Sequence, residues 1–110
     1  MNVIDIANNL GQEIRKSEEY IAYKEIKERI NSNPELKSKI DEFEKVRYNV
    51  QVSALQNEGQ NEEELQKLQQ IYEMLMKDEI LKEYFEKQVR FNVMIADVNK
   101  IIGNSIKDLL

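Results

Sequence analysis

EILKEYFEKQVRFNVMIADVNKIIGNSIKDLL, residues Glu79 to Leu110, closes the chain and carries more apolar residues than one exposed helix can cover on a single side. At 100° per residue these residues recur at threes and fours, as in an amphipathic helix. The main stripe consists of Ile80, Tyr84, Phe91, Ile95, Val98, Ile102, Ile106 and Leu109, widened by Met94 and Ile101. A second apolar group, Phe85, Val89, Val93 and Ala96, lies on a different side. The segment therefore predicts one long helix that packs on two sides.

Two further helices precede this segment. Asn33-Pro34-Glu35 is a start signal, because Asn caps helices and Pro is favoured at their first position. From there Leu36, Ile40, Phe43, Arg47, Val50 and Ala54 follow coiled-coil spacing, with Arg47 as the one charged residue. Glu58-Gly59-Gln60-Asn61 has the residues of a tight turn. The return helix, Asn61 to Lys77, is lined by Leu65, Leu68, Tyr72 and Leu75. A start signal at Asp78-Glu79 leads into the final helix. The pattern predicts an antiparallel helix hairpin.

The first third of the chain predicts two more helices. Asn2 can cap a helix that runs to about Lys16, with an apolar stripe of Val3, Ile6, Ala7, Leu10 and Ile14. Ser17 is a second start signal, and whether it breaks or bends the chain is open. Tyr20, Tyr23, Ile26 and Ile30 form the next stripe. The sequence thus predicts an all-α bundle of about five helices, homodimeric or higher, as a single domain over residues 1–110.

Composition excludes several classes of protein. The chain has 110 residues with a formal net charge of −5, and its acidic and basic residues are interleaved, which disfavours direct nucleic-acid binding. It contains no cysteine, so neither disulfides nor thiolate-bound iron–sulfur clusters are expected. It has neither the basic and apolar run of a signal peptide nor an apolar run long enough for a membrane span. A cytoplasmic protein is the expectation.

No constellation of residues predicts catalysis. The absence of both Cys and His excludes the usual nucleophile and general-base arrangements and most zinc sites. Glu62, Glu63 and Glu64 are adjacent, so they point in three directions, and the helix dipole already explains acidic residues in a first turn. The three glycines stand alone and form no phosphate loop. We therefore predict no catalytic, cofactor-binding or metal-binding residues and no cofactor.

The surplus apolar residues instead predict an interface. Its candidate residues are Arg47, Tyr48, Val52, Phe85, Val89, Val93 and Ala96. Arg47 either pairs with a carboxylate across the interface or lays its stem on the core with its head in water, and the second interpretation is favoured. Tyr48 and Val52 lie off the main line of their helix and belong to a second contact surface, to the core or to solvated surface, three interpretations that stay open.

Several motifs resemble those of the YlbF/YmcA family of small bacterial helical proteins, most closely its YheA-like branch. They are Asp5-Ile6-Ala7-Asn8-Asn9-Leu10, Ile14-Arg15-Lys16-Ser17-Glu18-Glu19-Tyr20, Asn33-Pro34-Glu35-Leu36 with Asp41-Glu42-Phe43, and Ala96-Asp97-Val98-Asn99-Lys100-Ile101-Ile102. The resemblance covers essentially the whole chain. It implies an all-helical, self-associating cytoplasmic protein. It also implies regulatory protein partners, since better-known members regulate competence, sporulation and biofilm formation as adaptors in messenger RNA processing. Some members carry iron–sulfur clusters on cysteines, which this chain lacks.

Two functions from different classes follow. The leading hypothesis is a non-enzymatic protein–protein interaction module, a homo-oligomer with a dimer favoured, that acts as a regulatory adaptor. The alternative is a helical bundle that binds an apolar small molecule between its helices, suggested by the bulky Phe and flexible Met residues.

Overall fold

A computed structural model describes residues 2–56 and 62–110. This part of the chain forms five α-helices in the order α1 (Val3–Lys16), α2 (Glu18–Asn31), α3 (Pro34–Leu55), α4 (Glu62–Leu75) and α5 (Glu79–Ile106), followed by a 3-10 turn, Lys107–Leu109. It contains no strand. The prediction of an all-α bundle is confirmed. The predicted turn from Glu58 to Asn61 lies outside the described residues.

Ser17 breaks the chain between α1 and α2. Its backbone is extended, with φ −66° and ψ 150°, so the helical path ends there. The Ser17 hydroxyl accepts a hydrogen bond from the Tyr20 amide at 3.1 Å and donates one to the Ile14 carbonyl. One side chain therefore caps the start of α2 and satisfies a carbonyl at the end of α1. This settles the alternative that the sequence left open.

Asn33 starts α3 as predicted. Its side-chain oxygen accepts hydrogen bonds from the amides of Glu35 at 3.1 Å and Leu36 at 3.2 Å, while Pro34 occupies the first turn. Asp78 caps α5 in the same way, because its carboxylate accepts from the Ile80 amide at 2.9 Å. Both helix starts were readable because a capping side chain must lie within three residues of the amides it satisfies.

The backbone contacts divide the chain into two compact units. One unit contains the chain up to Lys27 together with Tyr84–Leu110, and the other contains Glu28–Glu83. The first is called the terminal unit and the second the hairpin unit. The single domain over residues 1–110 stays a prediction.

The hairpin unit is built around α3 and α4. The ring centroids of Phe43 and Tyr72 are 6.0 Å apart, and the Ser53 hydroxyl donates to the Glu64 carboxylate at 3.2 Å. Because a later residue of α3 meets an earlier residue of α4, the two helices are antiparallel, as predicted. The buried residues of this unit are Ile30, Leu36, Ile40, Phe43, Val46, Leu75 and Leu81. Each fully buried aliphatic or aromatic side chain contributes roughly 1.5–3 kcal/mol of transfer free energy.

The α3 core line differs from its prediction. Val46 is buried, whereas the Arg47 side chain is about half exposed and Ala54 is exposed. The predicted line followed coiled-coil spacing through Arg47. The buried positions instead run 36, 40, 43 and 46, so the stripe continues by three residues and bypasses the charged one. Burial of an apolar Val side chain is favourable, whereas burial of a guanidinium costs free energy, so position 46 is buried in place of position 47.

The terminal unit holds α2 against α5 through aromatic rings. The Tyr23 ring lies 5.5 Å from that of Phe91 and 5.8 Å from that of Tyr84, and the Tyr20 ring lies 6.2 Å from Phe91. The Gln88 amide donates to the hydroxyls of Tyr23 at 3.1 Å and Tyr84 at 3.4 Å. These contacts give the half-buried Tyr23 and the buried Tyr84 polar partners within a mainly apolar contact.

Candidate interaction surface

α1 exposes most of its apolar face. Val3, Ile6 and Leu10 are 79%, 56% and 37% exposed, and α1 has no buried residue. The spacing of these residues places them on one side of the helix. The helix itself is well formed, since Asn2 accepts a hydrogen bond from the Asp5 amide at 2.9 Å. A regular amphipathic helix whose apolar face meets solvent is a candidate contact surface.

The far half of α5 is also exposed. The sequence assigns Ile101, Ile102 and Ile106 to the main core stripe, yet these residues are 66%, 49% and 46% exposed. The stripe itself is present, but the described chain covers it less and less along the helix: Tyr84 is buried, Phe91, Ile95 and Val98 are half-buried, and the end of the stripe is exposed. The end of the predicted core face is therefore a surface of this chain.

A groove of about 470 Å³ runs along one side of α5, and we call it the α5 groove. Its apolar lining consists of Val89, Val93, Met94, Val98 and Ile101, and its polar lining of Glu19, Arg90 and Asp97. The lining residues of α5 recur at intervals of three to five along the helix, so the groove follows the helix axis for about three turns. Its elongated shape and mainly apolar lining suit the side chains of a helix better than a compact ligand.

Of the four predicted interface residues of α5, the structure exposes three and buries one. Val89 and Val93 are 58% and 53% exposed and line the α5 groove, and Ala96 is exposed as well. Phe85 is buried, and its ring packs edge-on against Tyr84 with centroids 5.3 Å apart. Phe85 is therefore part of the buried core of the chain, and Val89, Val93 and Ala96 form the accessible part of the predicted surface.

The predicted interface residues of α3 lie in the hairpin unit. Tyr48 is 64% exposed and Val52 is half-buried. The Arg47 guanidinium pairs with the Glu44 carboxylate one turn earlier and stands 5.8 Å from the centre of the Phe43 ring. Arg47 thus has a carboxylate partner on its own helix and an aromatic contact beneath it. That these three residues contact another protein stays a prediction.

A smaller recess of about 250 Å³ lies in the hairpin unit. Ile71, Met74, Leu75 and Leu81 form its apolar part, and Lys39, Glu42 and Asp78 its polar part. The Asp78 carboxylate is already engaged in capping α5. The volume falls just below the usual range of small-molecule sites, which is roughly 300–1,000 Å³.

The described residues bring no group of three or more Asp, Glu, His or Cys together as a potential metal site. Among them, too, no helix has both the length and the apolar character that crossing a membrane requires. The sequence did not indicate α1 as a candidate contact surface. Its signal was available in the stripe of Val3, Ile6 and Leu10, but a stripe alone does not tell whether the same chain covers it.

Known proteins resemble this chain over nearly its full length. Residues 3–107 match the family described as "Control of competence regulator ComK, YlbF/YmcA". A UPF0342 protein of Halothermothrix orenii is 34% identical over 107 residues, covering 97% of this chain and 91% of that relative. A UPF0342 protein of Staphylococcus aureus strain Newman is 33% identical over 109 residues, covering 99% and 96%. One of Bacillus licheniformis is 30% identical over 109 residues, covering 99% and 93%. The chain therefore belongs to the YlbF/YmcA family, as its motifs predicted.

Proposed function

We propose that this protein is a non-enzymatic interaction module, a homo-oligomer that acts as a regulatory adaptor in the bacterial cytoplasm. The observation that carries the proposal is the exposed apolar surface of the terminal unit, formed by the α1 face and the α5 groove. Monomeric soluble proteins rarely expose contiguous apolar patches of more than a few hundred Å². The family description, which names competence control, supports the regulatory part of the proposal.

Self-association is the simplest way to cover this surface. Closed homo-oligomers, above all two-fold dimers, are the commonest assemblies of soluble proteins. The α5 residues Val89, Val93 and Ala96 are the proposed contact surface, and Arg47, Tyr48 and Val52 on α3 are a second surface available to another partner protein. An adaptor needs both kinds of contact, because it must hold its own assembly together while it binds a regulatory protein.

Two measurements test the proposal. Multi-angle light scattering across a range of protein concentrations is expected to show a mass of two chains or more, and a single-chain mass at every concentration would refute the homo-oligomer. For the adaptor role, tagged wild-type protein and a Tyr48→Ser variant are used as baits in the native bacterium. A partner that is recovered with the wild type and lost with the variant would support the role. Baits that recover only the protein itself would count strongly against it.

The recess of the hairpin unit favours a second candidate function, the binding of an apolar small molecule. Its apolar lining suits such a ligand, although its volume of about 250 Å³ admits only a small one. Native mass spectrometry of protein purified from the bacterium tests this function. A reproducible adduct that disappears in Leu75→Phe, which fills the recess, would support it, and spectra without any adduct would refute it.

A further inference from the structure

We infer that α1 of one copy docks lengthwise into the α5 groove of a second copy, so that each groove is completed by its partner's α1. The inference rests on the homo-oligomer proposed above and names the surfaces that form it. Three features carry it: matching length, sufficient area and complementary charge.

The two surfaces match in length. The apolar face of α1 extends from Val3 to Ile14, which at 1.5 Å per residue is about 17 Å. The apolar lining of the α5 groove extends from Val89 to Ile101, about 18 Å by the same rise. Each surface lies on one uninterrupted helix. The face of α1 can therefore occupy the groove along its full length.

The area is sufficient for a stable dimer. The exposed aliphatic residues of α1 and of the α5 groove together leave on the order of 700 Å² per copy open to solvent, which lies within the roughly 600–1,000 Å² per partner that stable interfaces bury. In a two-fold dimer each copy contributes one α1 face and one groove, so both surfaces are covered at once. One symmetric arrangement thus covers the α1 face and the groove together.

Charge is complementary in either orientation. When Val3 of one copy lies opposite Ile101 of the other, Glu13 comes level with residue 91, beside Arg90. When Val3 lies opposite Val89, Glu13 comes level with residue 99, beside Lys100. An acidic residue of α1 therefore meets a basic residue of α5 in both pairings, and Arg15 lies beside the same basic residue in each, so charge does not select the orientation.

The absence of cysteine in the natural sequence permits a direct test by cross-linking. Chains carrying Val3→Cys and chains carrying Ile101→Cys are mixed in urea, refolded together and treated with a short bis-maleimide. Leu55→Cys replaces Ile101→Cys as the control, because Leu55 is 85% exposed but lies on α3. Circular dichroism checks that each variant retains the wild-type helix content, which is expected because all substituted residues are exposed.

Val3→Cys chains are treated in the same way with Val89→Cys chains. We expect Val3→Cys to cross-link about 100-fold faster than the control pair with Ile101→Cys if α1 docks antiparallel to α5, or with Val89→Cys if it docks parallel, because docking raises the effective concentration of the thiols from about ten micromolar to about one millimolar. Rates no faster than that of the control for both pairs would overturn the inference. A single chain that carries both substitutions of the faster pair and cross-links internally at high dilution would show that α1 occupies its own groove, which also overturns the inference.

Light scattering and cross-linking together distinguish a failure of this inference from a failure of the proposed function. If light scattering finds one chain at every concentration, both the homo-oligomer and the docking of α1 fail. If light scattering finds an oligomer but both cross-linking rates equal that of the control, the oligomer stands and the docking of α1 alone is wrong.

Discussion

The α3–α4 hairpin and α1 both carry regular apolar stripes, but the stripe of α3 is buried and the stripe of α1 is exposed. In the hairpin unit, Leu36, Ile40 and Phe43 of α3 are buried within the chain itself. In the terminal unit, Val3, Ile6 and Leu10 of α1 have equally regular spacing and remain exposed. An amphipathic pattern therefore identifies an apolar face, and only the structure shows whether the same chain buries that face.

This difference predicts two kinds of mutational effect. A substitution in the buried stripe of the hairpin should lower the free energy of unfolding of the chain. A substitution in the exposed stripe of α1 should leave the folding of a single chain nearly unchanged and should weaken association between chains. Four substitutions, taken from the largest expected effect to the smallest, test this distinction between effects on folding and effects on association.

Phe43→Ala is expected to lower the free energy of unfolding by about 3–5 kcal/mol, because it removes a buried ring and leaves a cavity beside Tyr72. Urea denaturation followed by circular dichroism, at one fixed protein concentration, measures the change. Tyr48→Ala is the matched control, since it also truncates an aromatic residue of α3, and Tyr48 is 64% exposed. Equal losses in the two variants would contradict the burial of Phe43.

Leu10→Glu is expected to weaken self-association by at least tenfold, or about 1.4 kcal/mol, because it places a charge in the centre of the α1 face. The helix content at low concentration should stay as in the wild type. Sedimentation velocity over a dilution series measures the dissociation constant. Leu55→Glu makes the same chemical change at a position that is 85% exposed on α3, and it should leave the constant unchanged. A dissociation constant that Leu10→Glu does not alter would remove α1 from the interface.

Local signals made most of the fold predictable. Ser17, Asn33 and Asp78 each cap a helix start within three residues, so these boundaries could be read directly from the sequence. The antiparallel hairpin followed from two stripes on either side of a predicted turn. Such features depend on neighbours along the chain, and a single sequence contains that information.

The surface was less predictable, because exposure depends on packing between distant residues. Periodicity placed Phe85 with Val89 and Val93, yet Phe85 packs on Tyr84 and is buried while the two valines are exposed. Periodicity also assigned Ile102 to a core face that the described chain leaves half open. Neither outcome has a local sequence signal, since the spacing of the residues is the same in both cases.

Asn33→Ala is expected to lower the free energy of unfolding by about 1 kcal/mol, because the amides of Glu35 and Leu36 lose their acceptor at the start of a packed helix. Asn2→Ala removes the corresponding cap of α1, whose face is exposed. Its effect on the urea midpoint should be smaller, and hydrogen exchange should instead show faster opening of α1 alone. Equal shifts of the urea midpoint in both variants would mean that α1 unfolds together with the hairpin.

Arg47→Leu is expected to have the smallest effect, a change of less than about 0.5 kcal/mol in the free energy of unfolding and none in the mass measured by light scattering. The Arg47 and Glu44 side chains are 43% and 34% exposed, and an ion pair between neighbouring turns at such exposure contributes only a few tenths of a kcal/mol. Glu44 would remain in contact with water after the substitution, so no buried charge is left unpaired. A loss of the oligomer in Arg47→Leu would instead show that the guanidinium reaches a carboxylate of a second copy. Both α3 and the terminal unit would then contribute to the assembly, and the separation between a self-covered hairpin and an exposed α1 would no longer hold.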